Sequence, residues 1–142
     1  MLLSFLTGTS VSGELRSPSR SEATMRTIAE KEYKFLVRVA SEAGKDLHSA
    51  GLSSASMVEQ MADGGMGSLR FVDTAVECSN RRFGKIFVQG EFNDEDGVPV
   101  SFTVNLDDDG KIIELDLWRV DFSPLKRLPT QSDGVRIIAD TE

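Results

Sequence analysis

Apolar residues alternate with polar ones most regularly between Val98 and Leu117. Val98, Val100, Phe102, Val104 and Leu106 fall on every second position. A strand sends successive side chains to opposite faces, so all five point one way. Asp107-Asp108-Asp109-Gly110 then gives a turn in which Gly supplies positive φ and Asp tolerates it. The return strand carries Ile113, Leu115 and Leu117 on one face and Ile112, Glu114, Asp116 and Trp118 on the other. The stretch predicts a β-hairpin, with a sharp exit at Val120 to Leu125.

Three further strands share this rhythm. Met57 to Met61 and Leu69 to Val72 read as neighbours, and Phe83 to Phe92 leads into the hairpin through Asn93-Asp94-Glu95-Asp96-Gly97. Pro99 has no N–H to give, which predicts an edge strand or a bulge. Between Met61 and Leu69 lies DGGMGS; it lacks the phosphate-loop lysine and the GxGxxG order, so a turn with Met66 folded back as a core plug is preferred to a ligand cradle. Val135 to Ile138 is a short apolar run that either adds an edge strand or stays loose.

From Thr27 the period changes to that of a helix. Ile28, Phe35, Leu36 and Val39 form one apolar stripe, with Tyr33 and Ala40 beside it. Thr27 and Glu30 have capping-box spacing, and Gly44 suits a left-handed stop. Leu47 and Leu52 anchor either a short second helix or a loop.

The pattern therefore predicts an α+β domain: an N-terminal helix packed on an antiparallel meander of about five strands. The domain is expected over residues 25–128. Residues 1–24, rich in Ser, Thr and Gly, read as a disordered extension, and residues 129–142 as a C-terminal tail. Met25, directly before the patterned region, is a candidate initiator.

Composition narrows the chemistry. At 142 residues, 39% hydrophobic and 27% charged, the chain has the makeup of an ordinary soluble domain. The net charge of -7 opposes non-specific nucleic-acid binding. Leu2 to Leu6 is too short for a membrane span and has no basic flank of a signal peptide. One cysteine, Cys78, excludes an internal disulfide and suits a cytoplasmic setting; with the single His48 it leaves no zinc cluster. Cys78 reads as a small structural residue and His48 as a surface one. No cofactor and no metal are expected.

The charge is polarised. Between Glu91 and Asp121 ten acids stand against Lys111 and Arg119, a local net of -8. Three chemistries suit such a cluster. Calcium would use the carboxylates of the two acidic turns, but neither matches the twelve-residue EF-hand loop. A small carboxylate-dependent, metal-assisted hydrolase would use Glu114, Asp116 and Asp63, since the first two alternate onto one face. The preferred expectation is a non-catalytic module binding a basic protein partner through Glu114, Asp116, Trp118 and Asp121, with Phe87 or Phe122 as further aromatic anchors.

At DGGMGSLRF (63–71), FGKIFVQGEFNDEDGVPVSFTVNLDDDG (83–110) and ELDLWRVDFSPL (114–125) the chain resembles a family of small bacterial domains of unknown function, over roughly Met25 to Leu128. That resemblance implies a compact bacterial domain starting near Met25. The family carries no established activity, so no catalytic residue is carried across. In size and acidity the chain is similar to toxin-neutralising immunity proteins, an analogy rather than an assignment.

Overall fold

A computed structural model describes residues 25–72 and 81–138. The expected extension at 1–24 and Cys78 lie outside the described residues. One helix packs on one face of an antiparallel sheet, so the domain is α+β, and it is mostly sheet. In chain order the elements are β1 (Met25–Thr27), α1 (Glu30–Glu42), a 3₁₀ turn (His48–Ala50), β2 (Met57–Gln60), β3 (Leu69–Val72), β4 (Phe83–Asn93), β5 (Pro99–Asp107), β6 (Ile112–Arg119) and β7 (Val135–Ile137).

The sheet has seven strands in the order β1-β2-β3-β6-β5-β4-β7, where the pattern predicted about five in a single meander. The five predicted strands are all present. The additional β1 and β7 are three-residue edges, too short to show a two-residue period. Nor is the sheet one meander. β1-β2-β3 and β4-β5-β6 are two meanders joined by pairing β3 to β6, so the hairpin's return strand sits at the centre.

Helix α1 starts later than its sequence suggests. Thr27 ends β1, and it is Glu32, not Glu30, that reaches back to accept from the Ala29 N–H at 2.8 Å. Arg26 holds the same carboxylate with two bonds of 2.9 and 2.8 Å. Burial raises the proton affinity of Glu32, and these donors overturn that and keep it ionised. Gly44, at φ +72°, caps the other end as expected. The apolar stripe buries Phe35, Leu36, Val39 and Ala40. Phe35 meets Phe92 and Phe102 edge-on at 5.7 and 5.2 Å.

Val100, Phe102, Val104 and Leu106 all enter this core, with Val98 half-buried at the rim. The return strand departs from strict alternation. A bulge beside Asn105 and Leu106 pairs Leu106 with Ile112, so Ile112, rather than Ile113, joins Leu115 and Leu117 in the core. Pro99 opens β5, which is central and not an edge. The first residue of a strand is a position that tolerates a missing N–H. Gly90 sits opposite Phe102; a Cβ there would come within 2.9 Å of the ring and 2.3 Å of the Arg136 carbonyl, so β7 can lie close only over glycine.

Of the two alternatives for the Val135 to Ile138 run, the edge strand is the one found. Val135–Ile137 pairs with β4, and Arg38 on α1 donates to the carbonyls of Thr130 and Asp133, each at 2.6 Å.

Two buried ion pairs close the ends of the β5–β6 hairpin. At one end Arg119 reaches Asp94 at 2.6 Å, with both side chains almost wholly enclosed, and it also holds Asp96 and Asp121. Asp94 further accepts from the N–H groups of Glu95, Lys126 and Arg127, tying the exit segment to the β4–β5 turn. At the other end Arg81 holds Asp107 at 2.9 Å and donates to the carbonyls of Phe71 and Ile112.

Burial pushes Asp94 and Asp107 up, but their N–H donors and guanidinium partners outweigh it and hold both below the ordinary aspartate range. Hydrogen bonds from Arg119 do the same for Asp96, and take Asp121 down to about 2. These acids favour the folded state only when ionised. Their stabilisation is present above the unfolded value near 3.8 and is lost as the acids are protonated. The urea midpoint is expected to fall as pH drops from about 5 to about 2, and a flat profile there would contradict this. Arg119→Met strands the Asp94 carboxylate in the interior and is expected to cost about 3 kcal/mol or more in equilibrium denaturation.

Candidate functional site

The face of the sheet opposite α1 carries the predicted site. On β6, Glu114, Asp116 and Trp118 alternate onto this face, while Leu115, Leu117 and Arg119 turn inward. Asp116 lies opposite Thr103 and Trp118 opposite Ser101, so small polar residues of β5 leave the larger side chains uncovered. Trp118 is 55% exposed.

Phe122 stands beside it, 67% exposed, with the two ring centres 5.7 Å apart. Of the two further aromatic anchors the sequence offers, Phe122 is the exposed one. Its backbone is at φ +64°, the left-handed region that a bulky residue enters only with strain. The local chain imposes it. Phe122 N–H bonds the Arg119 carbonyl at 2.9 Å, Ser123 N–H bonds Asp121, and Leu125 N–H bonds the Gly65 carbonyl.

The glycine-rich loop supplies the third side. Asp63 accepts from the N–H groups of Met66 and Ser68 at 3.1 and 3.0 Å, which closes the loop on itself and agrees with the turn expectation. Gly67 is required at φ +97°, with a Cβ there 3.1 Å from Leu117. Met66 is not a core plug: half-buried, it rests its sulfur 3.3 Å from the Arg119 N–H and lines the open face.

Asp63, Met66, Thr103, Asp116, Trp118 and Phe122 thus border a shallow depression of about 490 Å³. The three candidate hydrolase carboxylates come close enough to act on one another. Burial first, then repulsion from Glu114 and Asp63, raises the proton affinity of Asp116. Among the described residues no cationic side chain is one of the groups shifting it. Glu114 accepts from the buried Asn105 amide at 3.0 Å.

Other candidates take structural places. Asp121 precedes Phe122, and its carboxylate is bound at 2.8 Å by Arg119, which also holds Asp94 and Asp96. The acids of the 93–97 turn likewise hold Arg119 in the place where calcium was considered. Phe87 is half-buried against the core, beneath Lys45 at 4.8 Å from the ring centre, and offers no anchor. His48 is on the surface, as expected. It joins Tyr33 and Asp46 in a chain of hydrogen bonds of 2.7 and 3.0 Å that only the fold brings together.

Comparison with known proteins matches residues 25–129 to the family described as domain of unknown function DUF6984. The chain belongs to that family. No curated protein and no solved structure matches it. The family match spans the Asp63 loop, β6 and the exit turn, and stops before β7. Among the described residues no helix is long and apolar enough to cross a membrane.

The strain at Phe122 gives a direct test of what its side chain is for. Phe122→Gly relieves the left-handed strain while freeing the unfolded chain, and is expected to leave stability unchanged or raise it by up to about 1 kcal/mol. Phe122→Ala keeps the strain and should show no such gain. A loss above about 1 kcal/mol for the glycine variant, measured by chemical denaturation, would make the ring a structural prop instead.

Proposed function

We propose that this DUF6984 domain is a non-catalytic binding module that recognises a basic protein partner through the open face of its sheet. Trp118 and Phe122 are the anchors, and Asp116 and Glu114 supply the charge. One observation carries the reading: two large aromatic side chains are displayed together to solvent, one of them from a strained backbone position. Solvated aromatics cost free energy that burial against a partner recovers, at about 25 cal/mol per Å² of apolar surface. The acids beside them steer a basic partner and reject an acidic one. A bacterial, cytoplasmic setting, and a role in neutralising or regulating that partner in the manner of an immunity protein, belong to the same proposal.

The alternative is a carboxylate-dependent hydrolase. It is favoured by the raised proton affinity of Asp116 in the same depression as Asp63, an arrangement suited to a proton donor. Binding is preferred because the depression is shallow and Asp63 is engaged by its own loop.

Capture from a lysate of the source cells on the full chain, at low and high salt, tests this. The expected result is a stoichiometric basic protein, weakened by salt and lost with Trp118→Ala and with Asp116→Lys. Capture indifferent to both substitutions, or none at either salt, would count against the proposal.

A further inference from the structure

Acids with strong burial elsewhere in this molecule each have an arginine of their own. Glu32 has Arg26, Asp94 has Arg119, and Asp107 has Arg81. Asp116 differs. It is half-buried, it bears repulsion from Glu114 and Asp63, and it faces an apolar depression whose lining, among the described residues, holds no cationic side chain. The wall of that depression is formed by the Trp118 and Phe122 rings.

We propose that this depression is the receptor for an arginine side chain of a basic polypeptide, its guanidinium stacked on the aromatic pair and bonded to Asp116. The inference rests on the binding reading above and specifies the partner's anchoring group. Charge complementarity selects a cation, since Asp63 and Asp116 line the depression and no lysine or arginine is among its described lining residues. The rings select a cation that tolerates contact with an aromatic face. Guanidinium meets both demands better than ammonium: it is planar, weakly hydrated, and able to stack while donating two bonds to one carboxylate. The aliphatic stem of the arginine lies along Met66, which borders the same depression. A shallow open site also suits a side chain presented by a macromolecule better than a free small ligand, which binds where it is largely enclosed.

Trp118 is the only tryptophan of the chain, so intrinsic fluorescence reports on this depression directly. The probes are three capped tripeptides, Gly-X-Gly, with arginine, lysine or the neutral isostere citrulline at X, titrated into the full-length protein. The arginine peptide is expected to give a saturable change with a dissociation constant in the millimolar range. Citrulline is expected to bind about tenfold more weakly or worse, a difference of about 1.4 kcal/mol. Lysine should fall between them. Asp116→Asn, which relieves the repulsion and so leaves the fold intact, should lose the same factor of about ten.

Equal response to arginine and citrulline, indifference to Asp116→Asn, or no saturable change overturns the proposal; lysine binding as tightly as arginine overturns the choice of guanidinium. Should these titrations fail while partner capture still depends on Trp118, the binding reading stands and only the arginine anchor falls. Failure of both removes both.

Discussion

The buried guanidinium of Arg119 is the constraint on which the rest of the molecule turns. It sits at the end of the central strand β6, and its charge is matched by carboxylates from the β4–β5 turn and from the exit segment. A charge so enclosed must be fully partnered, because an uncompensated one costs several kcal/mol. That requirement fixes the β4–β5 turn, the end of β6 and the start of the exit relative to one another. Asp94 extends the tie by accepting the backbone N–H groups of Lys126 and Arg127. At the far end of the hairpin, Arg81 and Asp107 do the same for the edge of β3 and the start of β6. The hairpin is thus pinned at both ends by ion pairs and along its length by the aromatic core under α1.

These pairs redraw the charge of the surface. Six of the ten acids between Glu91 and Asp121 lie against arginines: Asp94, Asp96 and Asp121 share Arg119, Asp107 has Arg81, and at the surface Glu95 and Glu91 meet Arg127 and Arg136. On the open face Asp116 has Glu114 and Asp63 as neighbours, and Glu114 lies directly across from Arg70 of β3. Asp116 and Asp63 form a small acidic patch beside two aromatic rings. A compact patch of this kind acts at contact distance, within about 8 Å at physiological salt, and discriminates by chemistry more than by long-range attraction.

The same latch that consumes Asp121 places Phe122. With Arg119 fixing Asp121, and Leu125 returning to bond Gly65, the chain between them must turn within a few residues, and Phe122 takes the left-handed conformation. Glycine or asparagine would serve such a turn at lower cost. Strain of this sort is what functional positions tolerate, since the surrounding hydrogen bonds over-determine the backbone. Stability of the core and display of Phe122 on the open face are therefore consequences of one ion-pair network.

Much of the fold was legible along the chain. The two-residue period through Val100, Phe102 and Val104 identified the core face of the hairpin, and the stripe of Phe35, Leu36 and Val39 identified the buried side of the helix. Such periods are geometric properties of an isolated strand or helix, so they survive in the sequence. Likewise Glu114, Asp116 and Trp118 could be placed on one face by counting. What counting could not reach were relations between distant segments: the β3–β6 pairing, the three-residue edges, and the bulge that exchanged Ile112 for Ile113. Nor could it tell Asp121 from Asp116. The two are five residues apart and chemically identical, yet one is bonded to Arg119 and the other faces an open, aromatic-walled depression. Which charge is spent and which remains depends on the three-dimensional positions of arginines, and only the tertiary structure decides those, because ion pairing acts across space and leaves no period in the chain.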